Sequence, residues 1–425
     1  IAANDVLGAI NFQAPDEGTG TDAILVAAGI EAVSEGDFSS SSNATKLSFK
    51  TASSAAAAET MSLSSAGLLT IADDLVIGDG KTIGTTSDPD ALLIASDGSV
   101  STPTAGTNNL RLGANAGNSI QSGGVQNIAL GDEAGTSITT GDNNVCIGYQ
   151  AGDAISTGDN NIAIGKNALG AEDGHDFNIA IGSNALAVQD VGANGFNIAI
   201  GHNAGTSIST GIVNTIVGYQ AGDALTTGNN NVAIGHEALG AEVQGDKSVA
   251  VGVGALQTQS NSTDIDANNT AVGYNAGLSM TTGVNNILVG AQAGDALTDA
   301  DFNNAMGFQA LTNDTLGSRS TAIGHHALQT QNFTTATDSH NTAVGFQSAK
   351  SLTTGVQNTI IGSQAGDAIT DADENVAVGY NALGVNTVGS RSTSVGHNAL
   401  LFQNPTTATD MNNVAVGYGA GSQVT

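Results

Sequence analysis

Glycine recurs along this chain at a nearly constant spacing, and this periodicity limits the fold more than any other feature of the sequence. Each of these glycines closes a five-residue phrase whose commonest form is Asn, an aliphatic residue, Ala, a second aliphatic residue and Gly, as in residues 161–165 (NIAIG) and 375–379 (NVAVG). The 18 repeat glycines are Gly113, Gly131, Gly148, Gly165, Gly182, Gly201, Gly218, Gly235, Gly252, Gly273, Gly290, Gly307, Gly324, Gly345, Gly362, Gly379, Gly396 and Gly417.

The repeat is nested. The common step between successive glycines is i to i+17, as from Gly148 to Gly165, and a longer step of i+19 or i+21 follows every fourth copy from Gly131 onward. As a result, Gly201, Gly273, Gly345 and Gly417 recur with a constant period of i+72. We call each set of four consecutive repeats a block, and each fourth connection is longer than the other three.

The repeat unit predicts an all-β fold. A 17-residue unit is too short for a pair of helices, and the phrase alternates with a period of two, as a strand does. Segments such as residues 139–144 (TTGDNN) supply the turn residues that return the chain to the next strand. One strand and its turns form one coil, so the sequence predicts a repetitive β-solenoid or β-roll. At about 4.8 Å per coil, 18 coils span about 85 Å.

The two faces of the predicted strand differ. One face carries aliphatic residues such as Ile162 and Ile164, which we expect to form a dry seam along the solenoid. The other carries Asn161, Ala163 and Gly165, where stacked amides are expected to bond along the axis and another backbone to approach closely. A 17-residue coil encloses little volume. The sequence therefore predicts that the smooth or aliphatic faces pack against other copies in a parallel homotrimer.

Composition excludes several classes of function. Nine basic and 39 acidic residues give a net charge of −30, which disfavours nucleic-acid and anionic-membrane partners. A single cysteine, Cys146, rules out an intrachain disulfide framework, and its place in a strand predicts a small buried residue. No stretch approaches the length of a membrane span. No catalytic or phosphate-binding motif is present, so we predict neither an enzyme nor a cofactor.

The organisation of the chain follows the repeat. Residues 1–100 lack it, and their short alternating segments predict an extended N-terminal β region that acts as an attachment or connector. Residues 101–425 are predicted to be the solenoid shaft. Because the sequence stops shortly after Gly417 and solenoids require caps, a C-terminal cap, tip or folding module is expected from elsewhere.

Acidic and histidine residues are the candidates for chemistry. Four aspartates recur once per block in the phrase AGDA, at Asp153, Asp223, Asp295 and Asp367. Turn carboxylates at Asp299, Asp301, Asp371 and Asp373 are candidate calcium ligands, although a solvated turn explains them as well. A glycosidase pair is disfavoured, because an active site breaks repeat symmetry and these acids keep it. The adjacent His325 and His326 are expected to point to opposite faces of a strand.

Two further groups are candidates for binding. All five tyrosines directly follow a repeat glycine, as do several Phe and His residues. They are expected to form a ladder that covers the aliphatic seam or a groove between chains, or else an aromatic strip for sugars. The long fourth loops are expected to project from one face, either as tolerated spacers or as receptor-facing loops. Their candidate receptor-facing residues are Asn261, Asp264, Phe333, Thr334, Phe402 and Pro405.

The repeat phrase resembles that of two families. It is similar to the head repeats of trimeric autotransporter adhesins, and it looks more like the repeats of tail fibres from marine and cyanobacterial phages, where it alternates with TTGxNN, as in residues 281–286. Residues 5–16, 20–24 and 61–67 also resemble segments of phage fibre proteins. The unit is longer than the adhesin unit.

This resemblance implies a function. We expect the shaft of a phage tail fibre or similar virion appendage, which presents a receptor-binding element to the host. Its partners would be two further copies of the chain, other tail or baseplate proteins through the N-terminal region, and a host surface glycan or protein. A bacterial trimeric surface adhesin or filament is the first alternative, and a polysaccharide depolymerase is the second.

Overall fold

The structure is a computed structural model that describes residues 1–13, 26–52, 56–72, 81–83, 92–94, 100–101, 106–192 and 194–424. Within these residues all regular structure is β, and no helix is present. The predicted all-β solenoid is confirmed, with coils about 17 residues apart. Part of the N-terminal segment that resembles phage fibres, residues 14–16 and 20–24, lies outside the described residues. The chain divides into two compact units, one of residues 1–89 and 93–100, the other of residues 90–92 and 101–425.

The first unit contains a five-stranded antiparallel sheet in which neighbours in sequence pair. Its strands are β1 (Val6–Gln13), β2 (Val26–Ser34), β3 (Thr45–Thr51), β4 (Ala58–Leu63) and β5 (Leu69–Ile71). Every residue of β1 is exposed, including Ile10 and Phe12. The buried residues of this sheet are mostly small, such as Ser34 and Ser48, so its own core is thin.

Three short strands follow and form a separate sheet: β6 (Lys81–Ile83), β7 (Leu92–Ile94) and β8 (Val100–Ser101). The solenoid strands come next. They are β9 (Leu110–Leu112), β10 (Ile128–Leu130), β11 (Val145–Ile147), β12 (Ile162–Ile164), β13 (Ile179–Ile181), β14 (Ile198–Ile200), β15 (Thr215–Val217), β16 (Val232–Ile234), β17 (Val249–Val251), β18 (Thr270–Val272), β19 (Ile287–Val289), β20 (Asn304–Met306), β21 (Gly317–Ser318), β22 (Thr321–Ile323), β23 (Thr337–Asp338), β24 (Thr342–Val344), β25 (Thr359–Ile361), β26 (Val376–Val378), β27 (Gly389–Ser390), β28 (Thr393–Val395), β29 (Thr409–Asp410) and β30 (Val414–Val416).

Eighteen of these strands form one parallel ladder that runs from β9 to β30. Each strand pairs in register with the equivalent strand of the next coil, as Ala163 does with Ala180. Two side pairs, β21 with β23 and β27 with β29, connect the turns of neighbouring coils. One chain therefore builds the ladder by itself, and each interior coil is bonded to the coil on either side.

The core lies inside each coil, on the Asn and Ala face. The strand-centre alanines such as Ala163 and Ala180 are fully buried, together with Ile155 and Leu169 from the turns. The aliphatic residues on the other face, such as Ile162 and Ile164, are only half-buried and point away from this core. Of the two faces that the sequence left open for packing against other copies, the smooth Ala face is closed, because small alanines let the chain's own turns fold back over it.

Asparagines secure the stack, as predicted. The Asn161 Oδ1 atom accepts a hydrogen bond from the backbone N–H of Asn178 in the next coil (2.9 Å), and its Nδ2 donates to the His175 carbonyl (2.8 Å). The same pattern links Asn144 to Asn161 and recurs along the ladder. Each buried amide thereby satisfies two backbone groups that a narrow coil would otherwise leave unpaired.

The repeat glycines are required by both conformation and space. Gly165 has a φ of +128°, a region open only to glycine, and a Cβ built on it would lie 2.6 Å from the Gly182 carbonyl of the next coil. Gly201, Gly273 and Gly345 share this environment. The backbone that approaches these glycines therefore belongs to the same chain.

Candidate functional site

Each block buries one polar residue at the same place in its third coil. The residues are Glu172, Glu242, Asp314 and Asn386, and each is followed one coil later by a buried glutamine: Gln189, Gln259, Gln331 and Gln403. In every case the glutamine amide oxygen accepts a hydrogen bond from the Nδ2 of an asparagine of the Asn stack. The long fourth connection is thus anchored from inside by a buried polar network.

Glu242 shows the arrangement in full. Its Oε1 atom accepts from the backbone N–H groups of Val243 (2.9 Å), Gly245 (2.7 Å) and Asn261 (3.0 Å), and its Oε2 accepts from Gln259 Nε2 (2.7 Å). A buried carboxylate is stabilised only when it is bonded in this way. The group organises the turn and is shielded from solvent, so it is not placed to meet a substrate.

Asp314 occupies the same place in the third block. Its carboxylate accepts from Gln331 Nε2 (2.5 Å) and from the backbone N–H groups of Gly317 (3.0 Å) and Phe333 (3.1 Å). Burial nonetheless raises the pKa of Asp314, because removal from water disfavours the charged form more than these bonds favour it.

This network corrects part of the loop prediction. Asn261 and Phe333 are buried and do not face outward, since their backbone N–H groups bond the carboxylates of Glu242 and Asp314. Asp264, Thr334 and Phe402 are exposed, and Pro405 is half-buried. These four stay candidates for contact with a receptor.

The recurring aspartates lie in half-buried positions, one per block. Burial raises the pKa of Asp153, Asp223, Asp295 and Asp367 alike. Around Asp223 the side chains of Gln220, Glu237 and Gln257 line an open cleft of about 310 Å³. The charge of the nearby Glu237 contributes to the rise in the pKa of Asp223. Two acids therefore share this cleft.

The candidate calcium ligands have structural partners. Asp301 Oδ1 accepts from the backbone N–H of Val284 (2.8 Å), and Asp373 Oδ1 accepts likewise from Val356 (2.8 Å). Asp299 bonds the Thr282 hydroxyl, and Asp371 bonds that of Thr370. Asp301 and Asp373 thus cap the turn of the preceding coil, a role that accounts for their recurrence.

The residues after the repeat glycines form three exposed ring stacks. They are His202–Tyr219–His236, Phe308–His325–Phe346 and Tyr380–His397–Tyr418, with ring centroids 5.0–5.5 Å apart. Within each stack the central ring lies between two others, and these stacks follow the solenoid axis. Much of the flat surface of these rings is therefore covered by neighbouring rings.

The two adjacent histidines do not diverge as expected. The rings of His325 and His326 are in contact, with centroids 3.9 Å apart, because His326 lies past the end of β22 and has a φ of +59°. Burial and the neighbouring His325 lower the pKa of His326. Cys146 is fully buried as predicted, and burial raises its pKa to about 12.

The outward side of the ladder is an aliphatic stripe. It consists of the first and third residues of the 18 ladder strands, which are Ile, Val, Leu, Thr, Met or Asn and never charged. Ile200, Ile234 and Ile361 are each 38% exposed on this stripe. This long apolar surface carries no charged residue, although the net charge of the chain is −30.

No family model, curated protein or solved structure matches this chain. The residues that the structure describes contain no helix long and apolar enough to cross a membrane.

Sequence reasoning missed the buried network. The signal was present, since Glu242, Asp314 and Asn386 follow the same i+72 period as the block glycines. A charged residue in a turn is normally solvated, so the pattern did not reveal that these side chains point inward.

Proposed function

We propose that this chain is the shaft of a homotrimeric fibre, a phage tail fibre or similar virion appendage that presents a receptor-binding element away from the particle. The observation that carries the proposal is the ladder of 18 in-register strands. At about 4.8 Å per coil it extends for about 80 Å. Backbone and asparagine hydrogen bonds connect each coil to the next, and such a stack resists bending.

The aliphatic stripe supports the homotrimer. Apolar surface of this extent is seldom left in water, and an uncharged strip on an acidic chain favours a partner with the same strip. A threefold axis parallel to the ladder would bring three stripes together along their whole length and close the assembly. Three chains would also give the tip avidity for a surface receptor.

The ring stacks favour a shaft over a sugar-binding surface. A sugar packs against the flat face of an aromatic ring, and in the three stacks neighbouring rings occupy those faces. The virion location rests on the resemblance of the repeat and of the N-terminal segments to phage tail fibres.

Immunogold labelling tests the assignment. Antibodies against the purified chain should label an appendage of virus particles from the source culture. Label on the surface of uninfected cells would contradict the proposal and favour the adhesin alternative.

A sugar-release assay tests the enzyme alternative separately. Incubation of the protein with capsular polysaccharide should release no reducing ends. Release that is lost in Glu237→Gln would instead identify the cleft of Asp223 and Glu237 as a depolymerase site, and would contradict a purely mechanical shaft.

A further inference from the structure

The turn in the first block departs from the repeat at three positions that surround a buried carboxylate. Glu172 is equivalent to Glu242, but its neighbours Asp173, His175 and Asp190 have no acidic or histidine equivalents in the other blocks. The equivalent residues are Val243, Thr315 and Thr387, then Gly245, Gly317 and Gly389, then Ser260, Asn332 and Asn404. A catalytic or binding site is expected to depart from the repeat, and this turn departs from it at three positions.

The four side chains converge. One oxygen or nitrogen atom from each of Glu172, Asp173, His175 and Asp190 lies within 4.8 Å of the others. Glu172 forms the buried floor of the cluster, and the His175 Nδ1 atom lies 2.7 Å from its Oε1. Asp173 and Asp190 are exposed, so the cluster is open to solvent on one side.

Glu172 has fewer hydrogen-bond donors than its equivalent. Glu242 accepts six hydrogen bonds, whereas Glu172 accepts three, from the His175 backbone N–H, His175 Nδ1 and Gln189 Nε2. Both side chains are fully buried. Glu172 therefore has less compensation for its burial than Glu242 has, and positive charge nearby would add to it.

The other two carboxylates of the cluster add further negative charge. In the described part of the chain, the carboxylates of Asp173 and Asp190 accept no hydrogen bond and contact no Lys or Arg. Three carboxylates therefore meet with one imidazole and no fixed cation. The deficit at Glu172 and the two unpaired aspartates together point to a bound cation.

We propose that Glu172, Asp173, His175 and Asp190 bind one first-row divalent metal ion of the zinc type. Imidazole nitrogen combined with carboxylate oxygen suits Zn²⁺ and its neighbours, whereas Ca²⁺ requires six to eight oxygen ligands. Ligands at about 2.0 Å from zinc lie about 3.3 Å apart, so on binding Asp173 and Asp190 move inward by about 1 Å, and the 2.7 Å hydrogen bond between His175 Nδ1 and Glu172 Oε1 is exchanged for bonds to the ion. The two unpaired aspartates are free to make this movement.

The ion would join two coils. Glu172, Asp173 and His175 belong to the third coil of the first block and Asp190 to the fourth. Metal binding to the folded chain would therefore stabilise this coil pair by mass action.

Calorimetric titration of the untagged protein with Zn²⁺ tests the proposal. One ion per chain should bind at micromolar or lower concentration, and Co²⁺ should give the visible absorption of a nitrogen–oxygen site. The variant D173V/H175G/D190S carries the residues of the second block, whose fold is the same. It should lose more than about 100-fold in affinity. Asp190→Ser alone, at an exposed and unpartnered residue, should lose more than about 10-fold.

A charge-matched control distinguishes a site from general attraction to an acidic surface. The variant D132N/D338N removes two exposed carboxylates elsewhere, as many as D173V/H175G/D190S removes, and should bind Zn²⁺ as the natural sequence does. Equal affinity of the natural sequence and the D173V/H175G/D190S variant would overturn the proposal, as would the absence of binding at micromolar Zn²⁺. Neither result bears on the shaft function, which does not depend on a metal.

Discussion

Gln259 and Glu242 lie one coil apart and are joined by a hydrogen bond from Gln259 Nε2 to Glu242 Oε2 (2.7 Å), with both side chains excluded from solvent. The Gln259 Oε1 atom accepts in turn from Asn269 Nδ2 (2.9 Å). The long connection of the second block is thereby tied to the asparagine stack. A connection that projected freely would need no such anchor.

Gln259→Leu should destabilise this coil pair by about 1–3 kcal/mol, because the buried Glu242 carboxylate loses a donor and Asn269 loses an acceptor. Hydrogen exchange at coil amides near Asn269 measures the local opening free energy. Ser262→Leu, at an exposed residue of the same connection whose side chain makes no hydrogen bond within the described part of the chain, is the control and should change it by about 0.5 kcal/mol or less. Equal effects of the two variants would show that the network does not anchor the loop.

Gly165→Ala and Gly417→Ala separate conformational strain from crowding. Both glycines have a φ near +128°, at +128° and +127°, but only Gly165 faces a neighbouring carbonyl, while the nearest atom to a Cβ on Gly417 lies at 4.0 Å. Strain alone should cost about 1–3 kcal/mol at Gly417, and overpacking should add about 1–3 kcal/mol at Gly165. Urea unfolding of the two variants provides the comparison. A larger loss at Gly417 would contradict the assigned contact.

The raised pKa of Asp314 predicts that the free energy of unfolding falls as the pH rises. Because burial raises the pKa of folded Asp314 above the unfolded value near 3.9, the folded chain binds more protons over the interval between the two values. Stability therefore falls as pH increases through that interval and stays lower at neutral pH. Asp314→Asn should flatten this dependence in urea midpoints measured from about pH 4 to pH 8.

The fourth block supplies the reciprocal variant. Asn386 stands where Asp314 stands in the third block, so Asn386→Asp should introduce a decline of the same sign. Parallel pH profiles for the natural sequence and both variants would refute the effect.

The sequence was sufficient to predict the coils, but not which face of each strand points into the coil. The spacing of Gly165 and its equivalents defined strand, turn and period, because only glycine fits that backbone. It did not show that Ala163 points into the coil, since a small residue suits a thin interior and a close interface equally well. The metal cluster was also missed, because Glu172 and Asp190 are far apart in sequence and only the coil stacking brings them together.

Ile234→Lys should prevent assembly without unfolding the chain. Ile234 lies on the aliphatic stripe and is 38% exposed, so lysine fits the isolated chain but places like charges near the proposed threefold axis. Val213→Lys is the control, at a residue 45% exposed in the turn row that carries Lys247 two coils later. Light scattering with circular dichroism should show smaller folded particles for Ile234→Lys alone. Identical assembly of both variants would place the contact elsewhere.

The mass of the folded protein in solution tests the central claim most directly. Sedimentation equilibrium of the purified chain should give a single species of about three times the chain mass of 41.8 kDa, with the β signature of the solenoid retained. A folded, monodisperse species of 41.8 kDa would contradict the trimeric fibre and leave the aliphatic stripe open to solvent.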